Sequence, residues 1–354
     1  MRSNGNGNGQ HAPLGVAVVG YGYWGPNLVR NVVERPELTL AALCERDPLR
    51  AAGFAQRIPG VPVLADLEPA LLHPGVDAVI VATPPRTHYP IVKQALEAGK
   101  HVLVEKPLAT SGDDAEELVN LAAERGLVLM PGHTFVYSPA VNKVRELIEE
   151  GALGDVYFVT SSRMNLGKYQ ADGVICDLAP HDLSILLHWL KQPITQVSTN
   201  ARSVFQEDVP ETAFLSLQFE GGTAANVQIS WLAPRKMRQM VVVGSKRMVV
   251  YDDTASDEAI RVYDRGMDFS TPETFGEYQL TYRSGDMLVP RIDPAEPLGL
   301  ELADFAQAIH SGEQPASHAQ LGLEIVRAID AADESLRRGG EPVSLDVTSV
   351  QAAA

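Results

Sequence analysis

The stretch Gly20-Tyr21-Gly22-Tyr23-Trp24-Gly25 constrains this chain more than any other. An apolar run, Leu14 to Val19, leads into it, and a segment able to form a helix, Pro26 to Glu34, leads out. Strand, glycine turn, helix is the phosphate-cradling corner of a dinucleotide-binding unit. The first glycine permits the tight turn, the second lets the backbone approach a pyrophosphate, and the third lets helix and strand pack closely. Free N–H groups at the helix start hold the negative charge. Tyr23 and Trp24 belong to the same cradle. Glu45 follows 20 residues after Gly25, just past a second apolar run, Leu38 to Cys44. A carboxylate there accepts the hydroxyls of an adenosine ribose and repels a 2′-phosphate, which favours NAD. The neighbouring Arg46 is suited to pair with a 2′-phosphate, so NADP stays open.

Strand-like and helix-like stretches alternate as far as about Met130. Ala78–Ala82, Val102–Val104 and Leu127–Met130 read as further strands. One helix, capped by Thr87, runs to Ala98 and ends at Gly99; another, Asp113–Arg125, ends at Gly126. Strands that are continuous apolar runs argue for a parallel sheet covered on both faces. The expectation is an α/β chain whose residues 14–134 form a doubly wound dinucleotide-binding domain. Residues 1–13, rich in Gly and Asn, read as a flexible tail.

After residue 134 the pattern changes, and residues 135–354 read as an α+β domain with a large, mostly antiparallel open sheet. Helices at Ala140–Glu150, about Pro180–Leu190, Leu300–His310 and Leu321–Arg337 bracket the strands Val156–Ser161, Thr212–Phe219 and Thr223–Trp231. Gly221-Gly222 and Gly244-Ser245-Lys246 signal hairpins. A sheet covered on one side leaves small polar and aromatic residues available on the other, which predicts a symmetric oligomer, with a solvated face as the alternative. A net charge of −16 argues against a nucleic-acid partner. No apolar run approaches the ~20 residues that span a bilayer, and two cysteines support neither a disulfide framework nor a metal site. A reducing cytoplasm fits.

Three further clusters carry chemistry. Thr83-Pro84-Pro85 follows an apolar run, and ligands gather beyond the carboxyl ends of parallel strands, so this turn is expected over the cofactor. His88 stands beside it as a candidate cofactor contact or a simple first-turn residue. Glu105-Lys106-Pro107 also ends an apolar run; a lysine in a water-poor cleft can have its pKa lowered and position a proton. The alternative is an ordinary exposed lysine starting a turn. A cis Lys–Pro bond is open there. Asp177-Leu178-Ala179-Pro180-His181 puts a carboxylate near an imidazole if both lie in the first turn of a helix. That pair fixes a tautomer for general-base work. A cap plus a core histidine is the alternative; a metal reading lacks a third ligand at a convincing spacing, with His188 two turns on and Cys176 preceding.

Gly20-Tyr21-Gly22-Tyr23-Trp24-Gly25, Ala82-Thr83-Pro84, Glu105-Lys106-Pro107 and Asp177-x-x-x-His181 together resemble the Gfo/Idh/MocA oxidoreductases, from Leu14 to the last helix. The resemblance implies an N-terminal Rossmann domain, a C-terminal domain with a large open sheet, and a homodimer or homotetramer formed through the sheets. It implies that Lys106 polarises a substrate hydroxyl, that His181 exchanges its proton, and that Asp177 orients His181 or holds a sugar hydroxyl. Gly132-His133-Thr134-Phe135-Val136-Tyr137-Ser138-Pro139-Ala140 and Asn165-Leu166-Gly167 are similar to a narrower nucleotide-sugar subgroup, of the UDP-N-acetylhexosamine 3-dehydrogenase kind. Two departures bear on substrate: the Asn-x-Arg-Phe of many relatives lacks its arginine near Thr134–Tyr137, and Ser184 stands where many carry Asp. Arg163, Asn165, Lys168 and Tyr169 are expected to line the substrate side. The implied activity is hydride transfer to or from a secondary alcohol of a sugar ring. A free cyclitol or monosaccharide dehydrogenase and a non-catalytic cofactor sensor are the rivals.

Overall fold

The structure, a computed structural model, describes residues 12–167, 172–270 and 279–346. The chain forms two compact units, Met1–Gly132 with Leu298–Ala319 and His133–Pro297 with Gln320–Ala354.

The first unit runs β1 (Leu14–Val19), α1 (Gly25–Glu34), β2 (Leu38–Cys44), α2 (Pro48–Arg57), β3 (Val63–Leu64), α3 (Leu67–Leu71), β4 (Ala78–Val81), α4 (His88–Glu97), β5 (His101–Glu105), α5 (Gly112–Arg125) and β6 (Leu129–Gly132). Among the described residues its sheet has six strands, all parallel, in the order β3-β2-β1-β4-β5-β6. Val16, Val18, Val79, Ile80, Val102 and Val104 have no exposed surface, which is why these strands read as unbroken apolar runs. Strand order reverses between β1 and β4, so the turns that follow them meet at the topological switch point where such sheets bind ligands. Thr87 occupies the N-cap position of α4 without capping it, because its hydroxyl lies instead 2.8 Å from Thr83 Oγ1 and 2.7 Å from the Pro84 carbonyl.

The second unit begins with α6 (Pro139–Glu149), β7 (Val156–Leu166), α7 (Gly173–Leu190), β8 (Ile194–Arg202), β9 (Thr212–Phe219), β10 (Ala224–Ser230) and β11 (Leu232–Gly244). β12 (Met248–Asp252), β13 (Ile260–Tyr263), β14 (Gly266–Ser270), β15 (Gln279–Arg283) and β16 (Met287–Leu288) follow. α8 (Pro297–Ser311), α9 (Ala319–Arg337) and β17 (Val343–Ser344) close the chain. Over the described residues the large sheet has nine strands, in the order β16-β13-β12-β11-β7-β10-β9-β8-β17. β7 and β10 are parallel and the other neighbours antiparallel. The β9–β10 hairpin turns at Gly221-Gly222, where Gly222 has φ +85. Its alternation holds: Ala213, Leu215, Leu217, Ala225, Val227 and Ile229 are buried, while Phe214, Ser216 and Asn226 face outward.

Two boundaries differ from the sequence reading. α8 groups with the first unit although it lies well beyond residue 134. A Cβ added to Gly299 would come within 2.8 Å of Arg35 Nη2 and 3.2 Å of Asn31 Oδ1 at the end of α1, and Ser317 donates to the Pro131 carbonyl at 2.6 Å. Contacts too remote in sequence to read thus decide its place. α7 starts at Gly173, not near Pro180, so Asp177 and His181 stand inside the helix rather than in its first turn. Gly173 at φ +76 opens the helix, and Pro180 is carried in its interior despite the missing N–H.

Candidate active site

The glycine turn is built as its chemistry requires. Gly20 has φ +95, and a Cβ there would sit 2.8 Å from the Ala82 carbonyl oxygen; one on Gly25 would sit 2.5 Å from the Gly20 oxygen. Protein atoms therefore demand both glycines. Gly22 differs: the nearest atom to its missing Cβ is Arg50 Nη1 at 3.9 Å, so the space over it is open. No side chain caps the start of α1. Open space above the second glycine and an uncapped helix start fit a pyrophosphate.

Glu45 ties this turn to the end of β2. One carboxylate oxygen accepts the Tyr21 N–H at 2.7 Å and the other the Asp47 N–H at 2.8 Å. Each keeps a second lone pair for a ribose hydroxyl. Tyr23, 86% exposed, and Arg46 reach solvent, with Trp24 partly covered. Arg50 was missed by the sequence reading. Its signal was present: Asp47 caps α2 through the Leu49 and Arg50 N–H groups and Pro48 follows, a helix-start pair that places Arg50 in the first turn.

Thr83 and Pro84 follow β4 at the carboxyl end of the parallel sheet. His88, a candidate cofactor contact by sequence, is buried instead. Its ring has no exposed surface, and its nitrogens face the carbonyl oxygens of Pro107 at 2.7 Å and Thr83 at 2.8 Å. It staples one strand-end turn to the other. Burial holds its pKa below the ordinary histidine value, against the two carbonyls, which raise it. Glu105 and Lys106 sit at the end of β5, and the Lys106–Pro107 bond is cis. Burial pushes the Glu105 carboxyl up to about 7, opposed by the Lys106 charge, the Lys106 N–H and the Trp24 indole. Gly132 lies against it, since a Cβ there would be 3.3 Å from Glu105 Oε1.

In the second unit α7 is buried along most of its length, and Cys176, Asp177, Leu178 and His181 keep partial exposure near its middle. Asp177 accepts a hydrogen bond from the Trp231 indole at 3.0 Å. Trp231 in turn packs on Gly167, where a Cβ would lie 2.3 Å from the indole ring. In the sequence Trp231 only ends the strand pattern Thr223–Trp231; the signal that points further is that a buried indole N–H requires an acceptor.

The Phe135 ring meets the His181 imidazole edge-on, centroids 5.2 Å apart and planes at 72°. Arg163 does not line a substrate surface. It is 3% exposed, its Nε bonds the Asp182 carboxylate at 2.7 Å, and its guanidinium lies over Phe135 at 4.6 Å. Ser161 donates to the other Asp182 oxygen at 2.8 Å. Asn165 is partly exposed near the end of β7, and Ser184 donates to the His181 carbonyl at 2.8 Å. Lys168 and Tyr169 fall outside the described residues. Among the described residues no three His, Cys, Asp or Glu side chains gather as metal ligands, and no helix is long and apolar enough to cross a membrane.

Comparison with known proteins bears on both units. Residues 14–133 match a family profile described as an oxidoreductase family with an NAD-binding Rossmann fold, and residues 141–250 match the GFO/IDH/MocA C-terminal domain. A dTDP-3,4-didehydro-2,6-dideoxy-alpha-D-glucose 3-reductase of Streptomyces antibioticus is 34% identical over 86% of this chain and 90% of its own length. The scyllo-inositol 2-dehydrogenase (NAD(+)) of Bacillus subtilis is 27% identical over 95% of this chain and 96% of its own. The crystal structure of GenD2 from gentamicin A biosynthesis in complex with NAD superposes with a TM-score of 0.79 at 28% identity, covering 98% of this chain and 100% of that one. With its glycine turn, its switch-point strands and both family domains, the chain belongs to the Gfo/Idh/MocA oxidoreductases, and residues 14–133 are their NAD-binding Rossmann domain.

Proposed function

We propose that the protein moves a hydride between nicotinamide and a secondary alcohol or ketone at C3 of a nucleotide-linked sugar. The observation that carries the reading is the presentation of Asp177 and His181 on the partly exposed stretch of a helix mostly sunk in its core, with Asp177 held by Trp231. The 34% identical relative that reduces C3 of a dTDP-sugar supports the substrate class. Gly20, Gly22, Tyr23, Trp24 and Gly25 hold the pyrophosphate, Glu45 and Arg46 the adenosine end, and Thr83, Pro84 and Glu105 the nicotinamide end. When bound, NAD supplies the hydride acceptor, or in its reduced form the donor. Lys106 binds and polarises the reacting oxygen. His181 takes or returns its proton, and Asp177 orients His181. Asn165 contacts the sugar. A free cyclitol is the second reading, favoured by the scyllo-inositol dehydrogenase likeness over 95% of the chain.

The test is the absorbance of reduced nicotinamide with dTDP- and UDP-linked hexoses, their 3-keto forms, scyllo-inositol and xylose. Turnover is expected with a nucleotide-linked sugar. Lys106→Ala and His181→Ala should each lower it by about 10² or more while NAD binding persists. Turnover of scyllo-inositol alone selects the second reading, and unchanged turnover in both variants removes the mechanism.

The outward face of the large sheet also supports a homodimer or homotetramer. Phe158, Thr160 and Ser162 of β7 align with Ala224, Asn226 and Gln228 of β10, which align with Gln218, Ser216 and Phe214 of β9. Phe158 and Phe214 are each 43% exposed, so the row is a flat field of small polar groups with aromatic ends.

A further inference from the structure

Phe135 sits in a short 3-10 turn, Thr134–Tyr137, just before α6. It is partly exposed, so filling the core does not account for where its ring lies. Two guanidinium groups converge on that ring, Arg163 at 4.6 Å and Arg238 at 6.0 Å from its centroid. They come from paired positions, since Arg163 of β7 is the register partner of Arg238 of β11. Each charge is balanced: Arg163 by Asp182 at 2.7 Å and Arg238 by Asp253 at 3.0 Å. Arg163 and Asp182 are 3% and 1% exposed. Neither swings away without stranding the other's charge in the core.

These contacts close into a loop. Asp182 follows His181 in α7, pairs with Arg163, which stacks on Phe135, whose ring returns to the His181 imidazole. The loop matters because the second side-chain torsion of a histidine is broad and soft. A helix sets where the imidazole hangs but not the plane in which its nitrogens point. We infer that Phe135, fixed by the Arg163–Asp182 pair and by Arg238, is a positioning residue that, alongside Asp177, sets the plane of the His181 imidazole. The inference rests on the proposed role of His181 in proton exchange.

Crystal structures of Phe135→Leu and Phe135→Tyr, full chain with NAD, test it. Leucine keeps apolar bulk and removes the ring, so the imidazole is expected rotated or in two orientations. Tyrosine keeps the ring and should keep the wild-type plane. With UDP-N-acetylglucosamine as probe, Phe135→Leu should lower kcat about tenfold or more with KM and NAD affinity unchanged. Phe135→Tyr should stay within about threefold of wild type. A purely structural role would move the melting point instead of splitting kcat from KM. Should Phe135→Leu fail to fold, the double variant Arg163→Met with Asp182→Asn removes the ion pair as a pair, leaves no lone buried charge, and should free the imidazole in the same way. A wild-type imidazole plane in the variant that folds overturns the inference, whatever the activity. Full activity of His181→Ala overturns instead the function reading beneath it.

Discussion

An indole N–H anchors the Asp177 carboxylate. Trp231 donates to it at 3.0 Å, and Gly167 leaves the indole its room. Trp231→Phe keeps an aromatic ring and deletes the donor. A hydrogen bond to a charged group contributes about 1.5–3 kcal/mol. Since Asp177 is partly exposed, most of the effect should fall on turnover rather than on stability. The expected result is a kcat about tenfold lower with a small change in melting temperature. Gly167→Ala should reproduce it, because its Cβ would sit 2.3 Å from the ring and push the indole aside. Steady-state kinetics and thermal melts of both variants check this; wild-type kcat in both would show that Asp177 needs no such anchor.

At the scale of the element, the large sheet has one face turned to its helices and one turned outward. Inner positions of β9 and β10 alternate cleanly, and the strands are legible for that reason. The sequence pattern marks β7 only as far as Ser161, yet the strand runs to Leu166. Its inward positions Ser161 and Arg163 are polar because both bind Asp182, and a polar residue facing the core mimics a loop. The same pair hides part of α7, where Asp182 and Ser184 are buried at positions that helical patterning assigns to water. The outward face yields a prediction of its own. Asn226→Arg places a charge in the middle of that face, exposed on β10. Light scattering should show the wild type as a dimer or tetramer and the variant as monomer, with NAD binding kept. A monomeric wild type would refute the interface.

For the whole molecule, burial sets the response to pH. His88, His101, His188 and His318 are all held below the ordinary histidine value, chiefly by desolvation. His188 is pushed down to about 4, with the charges of Arg145 and Lys191 adding to burial. A neutral folded histidine contributes stability above its unfolded pKa of about 6.5, which is lost as pH falls toward the folded value. His188→Asn should therefore cost most at neutral pH, and its deficit should shrink between pH 6.5 and about 4. Glu324 runs the opposite way, raised to about 7 by burial, so its contribution is present at acid pH and lost as pH rises through that value. Glu324→Gln should gain on wild type over the same rise. Urea titrations across pH check both signs, and parallel profiles for variant and wild type would refute them. What the sequence by itself determined is what local rules encode: the glycine turn, the parallel strands as apolar runs, the β9–β10 hairpin, and the motif-bearing strand ends at Thr83 and Lys106. Only the tertiary structure decided that His88 is a buried staple, that Arg163 is a paired core cation, that Trp231 holds Asp177, and that α8 returns to the first unit. Each of these depends on a partner far away in the chain, and a residue's type records what it can bond to but not what folding brings within reach.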